Sequence, residues 1–235
     1  MEKIIISGGN RLHGKLKISG SKNSALPIIA STLLSDKEIL LNNIPNLSDI
    51  TSMVSLLRSL NSKICRKNSS LKIRSEKPEL NIAPYDLVRK MRASFLVLGP
   101  LLSKYGFAKV SLPGGCAIGA RPIDIHLKCL EKMGVEFKIK EGYVIGKVKR
   151  KLSGTKIILP FSSVGATENV IMASVLAQGQ TIIQNAATEL EISDLIKFLN
   201  SLGAKISGIG TKTIKIIGIE KLSGGEFTVM PDRIE

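Results

Sequence analysis

A thiol set among glycines is the feature of this sequence that most suggests chemistry. Cys116 follows Gly114 and Gly115, directly after a predicted strand that ends at Leu112. Glycines in such a loop permit positive φ angles and let the backbone approach a ligand closely. Arg121 lies in the same loop, where its charge would lower the pKa of a thiol and bind a phosphate. The loop is therefore either a reactive thiol at an anion site or a surface loop with an incidental cysteine.

Polar and basic residues begin three apolar segments that we predict to be helices. Lys22 and Asn23 precede the first helix, Arg92 precedes the second, and Ser162 and Ser163 precede the third. The free N–H groups of a helix start bind anions, and a neighbouring cation strengthens that binding. Each start taken alone is equally explained by a capping serine beside a solvated lysine. Together they predict one phosphate-binding surface at which the three helix starts converge.

A threefold repeat supplies the elements that would position these residues. Three segments end a helix with a left-handed residue and then enter a strand, at a spacing of about seventy residues. The predicted left-handed residues are Asn61, Gly134 and Gly203. Acidic residues predicted to begin the same three helices are Asp49, Asp124 and Asp194. Repetition of this kind predicts one domain built from three similar units.

Each unit also contains an earlier, more apolar helix followed by a strand. The predicted apolar helices cover residues 25–34, 93–102 and 167–176, and the strands after them cover 38–41, 108–112 and 180–184. Pro27 is expected in the first turn of the first helix, where proline is tolerated. One unit cannot bury its apolar helices alone. The pattern therefore predicts an α/β fold with a shared helical core and sheets outside.

Composition limits the function classes. The chain has 235 residues, a net charge of +15 and few aromatic residues, at 4%. A basic balance suits nucleic acid or small anionic substrates, but the cations are scattered apart from residues 147–151. Scarce aromatics argue against single-strand binding, because bases need rings to stack on. Nucleic-acid binding therefore ranks last. The N-terminus lacks an apolar signal core, and no apolar stretch is long enough to cross a bilayer, so we expect a cytoplasmic protein.

The cysteine and histidine pattern gives no support for a metal site. Three cysteines and two histidines have neither zinc-like nor disulfide-like spacing, and an odd number of thiols suits a reducing compartment. Cys65 and Cys129 lie on apolar repeat elements, where we predict core positions. No P-loop or Rossmann glycine pattern occurs in the sequence.

Several stretches together closely resemble one family. Residues 22–23, 90–94, 113–122, 163–169 and 231–235 are similar to UDP-N-acetylglucosamine 1-carboxyvinyltransferases, which are enolpyruvyl transferases, and the resemblance covers nearly the whole chain. It implies an inside-out α/β barrel in which each of two domains holds three βαβαββ-like units. Residues 21–229 would form one domain, and residues 1–20 and 230–235 would belong to a second domain that is mostly absent. The chain would thus be the N-terminal half of the enzyme.

The resemblance also implies an activity and its residues. The enolpyruvyl group of phosphoenolpyruvate would pass to the 3′-hydroxyl of UDP-N-acetylglucosamine, with phosphate released and no cofactor or metal. Cys116 would be the proton donor that fosfomycin alkylates, Lys22 and Arg121 would hold phosphoenolpyruvate, and Asn23 and Arg92 would bind substrate. The remaining implied substrate contacts are Pro122, Ile123, Asp124, Ile125, His126, Phe161, Ser162, Ser163, Val164, Gly165, Asp232 and Arg233.

Two positions depart from the family's pattern, and two other interpretations of the chain's function stay open. Ser48 and Phe161 stand where some members of the family have lysine, which would weaken binding of the nucleotide. The chain would alternatively be a half-enzyme that is inactive alone or needs a second polypeptide. A shikimate-pathway enolpyruvyl transferase shares the fold, but Cys116 in its glycine-rich loop favours the UDP-sugar enzyme.

Overall fold

The structure is a computed structural model that describes residues 3–9, 11, 13–89, 91–112 and 123–234. Its α-helices are α1 (Lys22–Ser31), α2 (Ser48–Ser59), α3 (Tyr85–Val88), α4 (Leu98–Tyr105), α5 (Asp124–Lys132), α6 (Val164–Ser174) and α7 (Leu190–Ser201). Two 3₁₀ segments, Thr32–Leu34 and Arg92–Val97, respectively continue α1 and precede α4. The strands are β1 (Ile39–Asn42), β2 (Ser62–Lys67), β3 (Ser70–Ser75), β4 (Ile82–Ala83), β5 (Phe107–Ser111), β6 (Val135–Lys140), β7 (Tyr143–Val148), β8 (Lys156–Ile158), β9 (Gln180–Gln184), β10 (Lys205–Ser207), β11 (Thr213–Ile217) and β12 (Gly225–Thr228).

These strands form three sheets of identical design within the described residues. The strand orders are β12-β1-β3-β2, β4-β5-β7-β6 and β8-β9-β11-β10. In each sheet the first strand runs parallel to the second, and the other neighbours are antiparallel. β12 comes from the last part of the chain and completes the first sheet, so the third unit closes back onto the first. The predicted α/β fold of three βαβαββ-like units is confirmed.

Three helical segments lie inside these sheets and are buried almost all round. Every residue from Ser24 to Ser31 of α1 is buried, as is every residue from Ala166 to Ser174 of α6. The second segment is buried from Ser94 to Ser103, across the 3₁₀ turn and into α4. Helices α2, α5 and α7 flank this core and expose some residues. A helix buried on all sides loses contact with water everywhere except at its ends.

The second central segment changes from 3₁₀ to α because a side chain enters its hydrogen-bond ladder. In an α-helix the Gly99 N–H would donate to the Phe95 carbonyl. The Asn169 amide from α6 lies between them instead: its Oδ1 accepts from Gly99 N at 2.9 Å, and its Nδ2 donates to Phe95 O at 3.3 Å. A Cβ on residue 99 would lie 2.5 Å from the Asn169 carbonyl oxygen, so the close approach requires glycine.

Three predicted helix ends are confirmed. Asn61, Gly134 and Gly203 each follow a flanking helix with φ of 62°, 98° and 100°. At Gly134 and Gly203 an added Cβ would have no heavy atom within 4 Å. Glycine is therefore favoured at these two positions by the left-handed backbone conformation and not by a lack of space for a side chain.

The prediction for Asp194 is wrong. Helix α7 begins earlier, at Leu190, so Asp194 lies inside the helix with only 6% of its surface exposed. Its carboxylate accepts hydrogen bonds from the Ser24 hydroxyl and, at 3.2 Å, from the Met230 N–H. Asp194 thus joins α7 to the start of α1 and to the returning chain. Asp49 and Asp124 do lie in the first turns of α2 and α5.

The prediction for Pro27 is also wrong. Helix α1 begins at Lys22, which makes Pro27 its sixth residue and places it beyond the first turn. Because proline has no N–H, the carbonyl of Asn23 lacks its usual partner four residues later. The helix therefore keeps an accepting carbonyl near its start.

Cys65 does not occupy the core. It lies on β2, whose alternation turns Cys65 to the exposed face, whereas Cys129 on α5 is buried with 4% exposure. Burial raises the pKa of the Cys129 thiol. The prediction therefore holds for Cys129 and fails for Cys65.

The segment entering α1 and the segment that follows β12 run side by side. Gly20 and Pro231 form an antiparallel bridge, Ser21 N donates to Met230 O at 2.8 Å, and Asp232 N donates to Ser19 O at 2.9 Å. The division at residues 21–229 stays a prediction. Across the described residues, no helix combines the length and the apolar character needed to traverse a membrane.

We expect Gly203→Ala to lower the free energy of unfolding by about 1 kcal/mol or more, because alanine resists the φ of 100°. Chemical denaturation measures the change. Asn61→Gly at the matched position should be neutral or mildly stabilising. Equal stability of wild type and Gly203→Ala would contradict this account of the helix end.

Candidate functional site

The starts of the three central segments meet at one cavity of about 330 Å³. Its lining residues are Asn23, Leu26, Pro27, Ala93, Leu96, Val164, Glu168, Glu189, Glu191 and Arg233. These come from the beginnings of α1, the 3₁₀ segment, α6 and α7, and from the returning chain. The predicted convergence is confirmed, and it brings together Asn23, Val164 and Arg233 from the expected site.

Lys22 begins α1 beside this cavity and is engaged by acids. Ser21 caps the helix, and its side chain accepts from Ser24 N at 3.3 Å. The Lys22 ammonium lies 3.0 Å from an Asp49 carboxylate oxygen in the first turn of α2. The Lys22 backbone N–H donates to Asp232 Oδ2 at 3.4 Å. A carboxylate of the protein therefore already occupies the anion position at the start of α1.

Three glutamates line the cavity. It is therefore more acidic than we expected from the polar and basic residues at the helix starts. Glu191 holds Arg233, whose Nε lies 3.0 Å from Glu191 Oε1 and 3.3 Å from Oε2. Glu189 contributes an oxygen, Oε2, that is buried and has no hydrogen-bond partner among the described residues. Glu168 is only 4% exposed. Burial, with the charges of Glu191 and Glu189, raises the pKa of Glu168 well above its ordinary value. This carboxyl group therefore keeps its proton to a higher pH than an exposed glutamate does.

Arg92 and His126 form a second group near the start of α6. Arg92 begins the 3₁₀ segment and is half-buried, and His126 on α5 is 8% exposed. Burial, assisted by the charge of Arg92, lowers the pKa of His126 to about 4. Phe95 packs edge-on against the imidazole, with 5.5 Å between ring centroids. His126 is therefore neutral at neutral pH.

The start of α6 is organised by its capping residues. Ser163 is the cap, and its hydroxyl accepts from Ala166 N at 3.4 Å. Ser162 donates to Ala186 O at 2.9 Å, which ties the entering chain to the segment before α7. Gly165 faces His126, since a Cβ added there would lie 3.2 Å from His126 Cε1. Phe161 stays 58% exposed.

The expected residues at the start of α5 differ in their surroundings. Ile123 caps the helix and is partly buried, Asp124 is exposed in the first turn, and Ile125 is buried with 8% exposure. Ile125 therefore supports packing, and Asp124 faces solvent. Cys116, Arg121 and Pro122 lie outside the described residues, and so does Lys90.

Sequence reasoning missed the polar residues inside the central core. Glu168 and Asn169 stand in a helix that is otherwise almost wholly apolar, and that contrast is a signal the sequence offered. Glu189 and Glu191 flank the first residue of α7, which the sequence placed too late. Across the described chain, no group of three or more potential ligands is placed to hold a metal ion.

Comparison with protein families gives one match along most of the chain. The model of EPSP synthase (3-phosphoshikimate 1-carboxyvinyltransferase) matches residues 6–235. The chain is 53% identical over 233 residues to UDP-N-acetylglucosamine 1-carboxyvinyltransferase 1 of Caldanaerobacter subterraneus subsp. tengcongensis, with 99% of this chain and 56% of that protein covered. It is 52% identical over 237 residues to UDP-N-acetylglucosamine 1-carboxyvinyltransferase of Shewanella frigidimarina, with 100% of this chain and 56% of that protein covered. The chain thus spans about half the length of these curated relatives.

Solved structures share the fold at low sequence identity. The enolpyruvyl transferase NikO of Streptomyces tendae superposes with a TM-score of 0.83 at 23% identity, covering 96% of this chain and 53% of that chain. An EPSP synthase of Acinetobacter baumannii superposes with a TM-score of 0.74 at 19% identity, covering 93% of this chain and 50% of that chain. At these identities the likeness concerns the fold alone.

We expect Glu168→Gln to change how stability depends on pH. The raised pKa of Glu168 means that the folded state keeps a proton which the unfolded state releases, so this group favours folding at acid pH and loses that contribution as pH rises through its folded pKa. Glutamine keeps the shape without titrating. At pH 8 the variant should be more stable by about 1–3 kcal/mol, because at that pH the wild type must bury a charge or retain a proton that the solution would remove, and glutamine does neither.

Denaturation measured from pH 5 to pH 8 tests this, with the exposed Glu79→Gln as the control, which should change stability by less than about 0.5 kcal/mol. A Glu168→Gln profile parallel to that of the wild type would refute the assignment.

Proposed function

Because the chain belongs to the EPSP synthase family, we propose that it carries part of the active site of a UDP-N-acetylglucosamine 1-carboxyvinyltransferase. The reaction transfers the enolpyruvyl group of phosphoenolpyruvate to the 3′-hydroxyl of UDP-N-acetylglucosamine and releases phosphate. No metal or organic cofactor takes part. The observation that carries the choice of substrate is the identity of 49–53% along the chain to relatives that bear this name.

The geometry of the helix starts supports the proposal. Addition of the sugar hydroxyl to phosphoenolpyruvate and elimination of phosphate need cations around the phosphate and a proton donor at the methylene carbon. Lys22 and Arg92 begin two of the three converging segments. Lys22 holds Asp49 at 3.0 Å, so substrate phosphate would exchange with that carboxylate. Substrate binding therefore includes release of an internal ion pair.

The remaining roles follow the family. Cys116 is the proton donor and the thiol that fosfomycin alkylates, and Arg121 neutralises the phosphate of phosphoenolpyruvate. Asn23 contacts the sugar nucleotide from the cavity that it lines. The other residues of the UDP-sugar pocket are Pro122, Ile123, Asp124, Ile125, His126, Phe161, Ser162, Ser163, Val164 and Gly165, with Asp232 and Arg233 on the returning chain. Closure over the substrates excludes water from the reacting atoms.

The product places the enzyme at the first committed step of peptidoglycan precursor synthesis. This step supports cell-wall biogenesis, cell shape and cell division, and it belongs to the cytoplasm, where both substrates are made. The net charge of +15 favours capture of two anionic substrates through long-range attraction.

A second candidate is a half-enzyme that requires another polypeptide. The relatives are nearly twice as long as the segment they share with this chain, since it covers 56% of each. A cleft between two domains needs both to surround a substrate. In this alternative, residues 21–229 form one complete domain, and residues 1–20 and 230–235 pair with the other. The exposed Ile4, Ile5 and Ile6, each at least 84% exposed, suit a strand that a partner sheet covers.

The shikimate-pathway reaction is the other enzymatic candidate. The matching family model carries that name. The solved EPSP synthases, however, are only 18–19% identical to the chain, against about half for the UDP-sugar relatives. This difference favours the UDP-sugar substrate.

We expect the chain to bind UDP-N-acetylglucosamine and not shikimate 3-phosphate in isothermal titration calorimetry. Arg92→Ala should weaken the binding roughly tenfold or more, since it removes a charged hydrogen-bond donor at the site. Arg89→Ala is the matched control, because Arg89 is exposed and pairs with Asp86 at 3.6 Å. The control should bind like the wild type.

Tighter binding of shikimate 3-phosphate would overturn the proposed substrate in favour of the shikimate reaction. Equal losses in Arg92→Ala and Arg89→Ala would remove Arg92 from the site. Binding of neither ligand would count against a substrate site in this chain alone.

A further inference from the structure

The amide of Asn169 is fully buried and makes three hydrogen bonds. Its Oδ1 accepts from Gly99 N at 2.9 Å, and its Nδ2 donates to Phe95 O at 3.3 Å. The same Nδ2 lies 2.9 Å from Nδ1 of His126. Asn169 therefore links α6 both to the second central segment, where the 3₁₀ turn meets α4, and to α5.

The backbone partners fix which way this amide points. The N–H of Gly99 can only donate, so it must face the amide oxygen, and the carbonyl of Phe95 can only accept, so it must face the amide nitrogen. Both hydrogens of Nδ2 are then committed, one to Phe95 and one to His126. Nδ1 of His126 must therefore present a lone pair.

A neutral imidazole that accepts at Nδ1 carries its hydrogen on Nε2. Protonating Nδ1 as well would set an N–H against the N–H of Asn169 in a buried site. Burial and the charge of Arg92 act in the same direction and lower the pKa of His126 to about 4. The ring is held as one tautomer in one charge state at neutral pH.

The Nε2 edge of the ring faces the start of α6. A Cβ added to Gly165 would lie 3.2 Å from Cε1 and 3.6 Å from Nε2 of His126. Nε2 has no hydrogen bond to any described residue, although the side chain is more than nine-tenths buried. A helix start offers N–H groups to an anion, and Arg92 adds a positive charge nearby.

We propose that Asn169 is a positioning residue that holds His126 as a neutral Nε2–H donor, and that this N–H donates to a phosphate oxygen of the sugar nucleotide at the start of α6. The inference rests on the proposed function, which names that ligand. A neutral donor lets the site bind a diphosphate without taking up a proton. The affinity should therefore not follow a histidine titration between pH 6 and pH 8.

Nitrogen-15 NMR of the histidine rings reads the tautomer directly in the ligand-free chain. The chain has two histidines, and the exposed His13 serves as the internal comparison. At pH 7, we expect His126 to show a protonated Nε2 and an unprotonated Nδ1. Asn169→Asp should move the hydrogen to Nδ1, because a carboxylate can only accept. A wild-type ring protonated at Nδ1 at pH 7 would overturn the proposal.

Two substitutions of His126 test the donor while leaving Asn169 and its helix bridge in place. Glutamine sets its amide nitrogen near the position of Nε2, and asparagine sets it near Nδ1. His126→Asn should weaken binding of UDP-N-acetylglucosamine roughly ten- to hundredfold, the effect of losing a hydrogen bond to a charged group. His126→Gln keeps a donor near Nε2 and should lose clearly less affinity than His126→Asn, with thermal unfolding followed for both variants.

Equal affinities for the asparagine and glutamine variants would overturn the donor role. So would unchanged affinity in an Asn169→Asp chain whose NMR spectrum shows the switched tautomer. If the wild type binds no UDP-N-acetylglucosamine, the proposed function fails, and the NMR result still decides whether Asn169 sets the tautomer.

Discussion

Three central helical segments are buried along almost their whole length, and the sheets, the flanking helices and the site are arranged around them. Residues of α1, α4 and α6 contact other helices or the sheets on nearly every side, so these segments meet solvent only at their ends. The sheets that enclose them repeat one strand order three times, and β12 closes the set by pairing with β1. Such an arrangement leaves the converging helix starts as the natural place for a polar ligand.

The same burial explains the few polar groups inside the core. A buried polar side chain is costly unless it is hydrogen-bonded, so each one present has to be satisfied or used. Asn169 replaces a missing backbone hydrogen bond between Phe95 and Gly99, and Asp194 joins Ser24 to Met230. Glu168 has no hydrogen bond to a described residue, and burial, with the charges of Glu191 and Glu189, raises its pKa.

The sequence predicted the elements better than their contacts. Gly134 and Gly203 marked their helix ends because a left-handed backbone restricts the choice of residue. Cys65 was misplaced because an apolar neighbourhood in sequence does not reveal which strand face turns inward. The Asn169 bridge was not predictable, because it joins residues about seventy positions apart and depends on the helices packing closely at Gly99. Local pattern therefore located the three central helix starts approximately and placed the start of α7 too late, whereas the acidic residues beside these starts could be assigned only from the fold.

We propose that these helix starts form one part of an enolpyruvyl transferase site. Phosphate release from phosphoenolpyruvate and UDP-N-acetylglucosamine tests it most directly, measured for this chain alone and mixed with a polypeptide covering the remaining length of the Caldanaerobacter relative, of which this chain matches 56%. We expect phosphate release that requires UDP-N-acetylglucosamine, is strongest in the mixture, and disappears with Arg92→Ala. Release that is equally fast without this chain, or that depends on shikimate 3-phosphate, would contradict it.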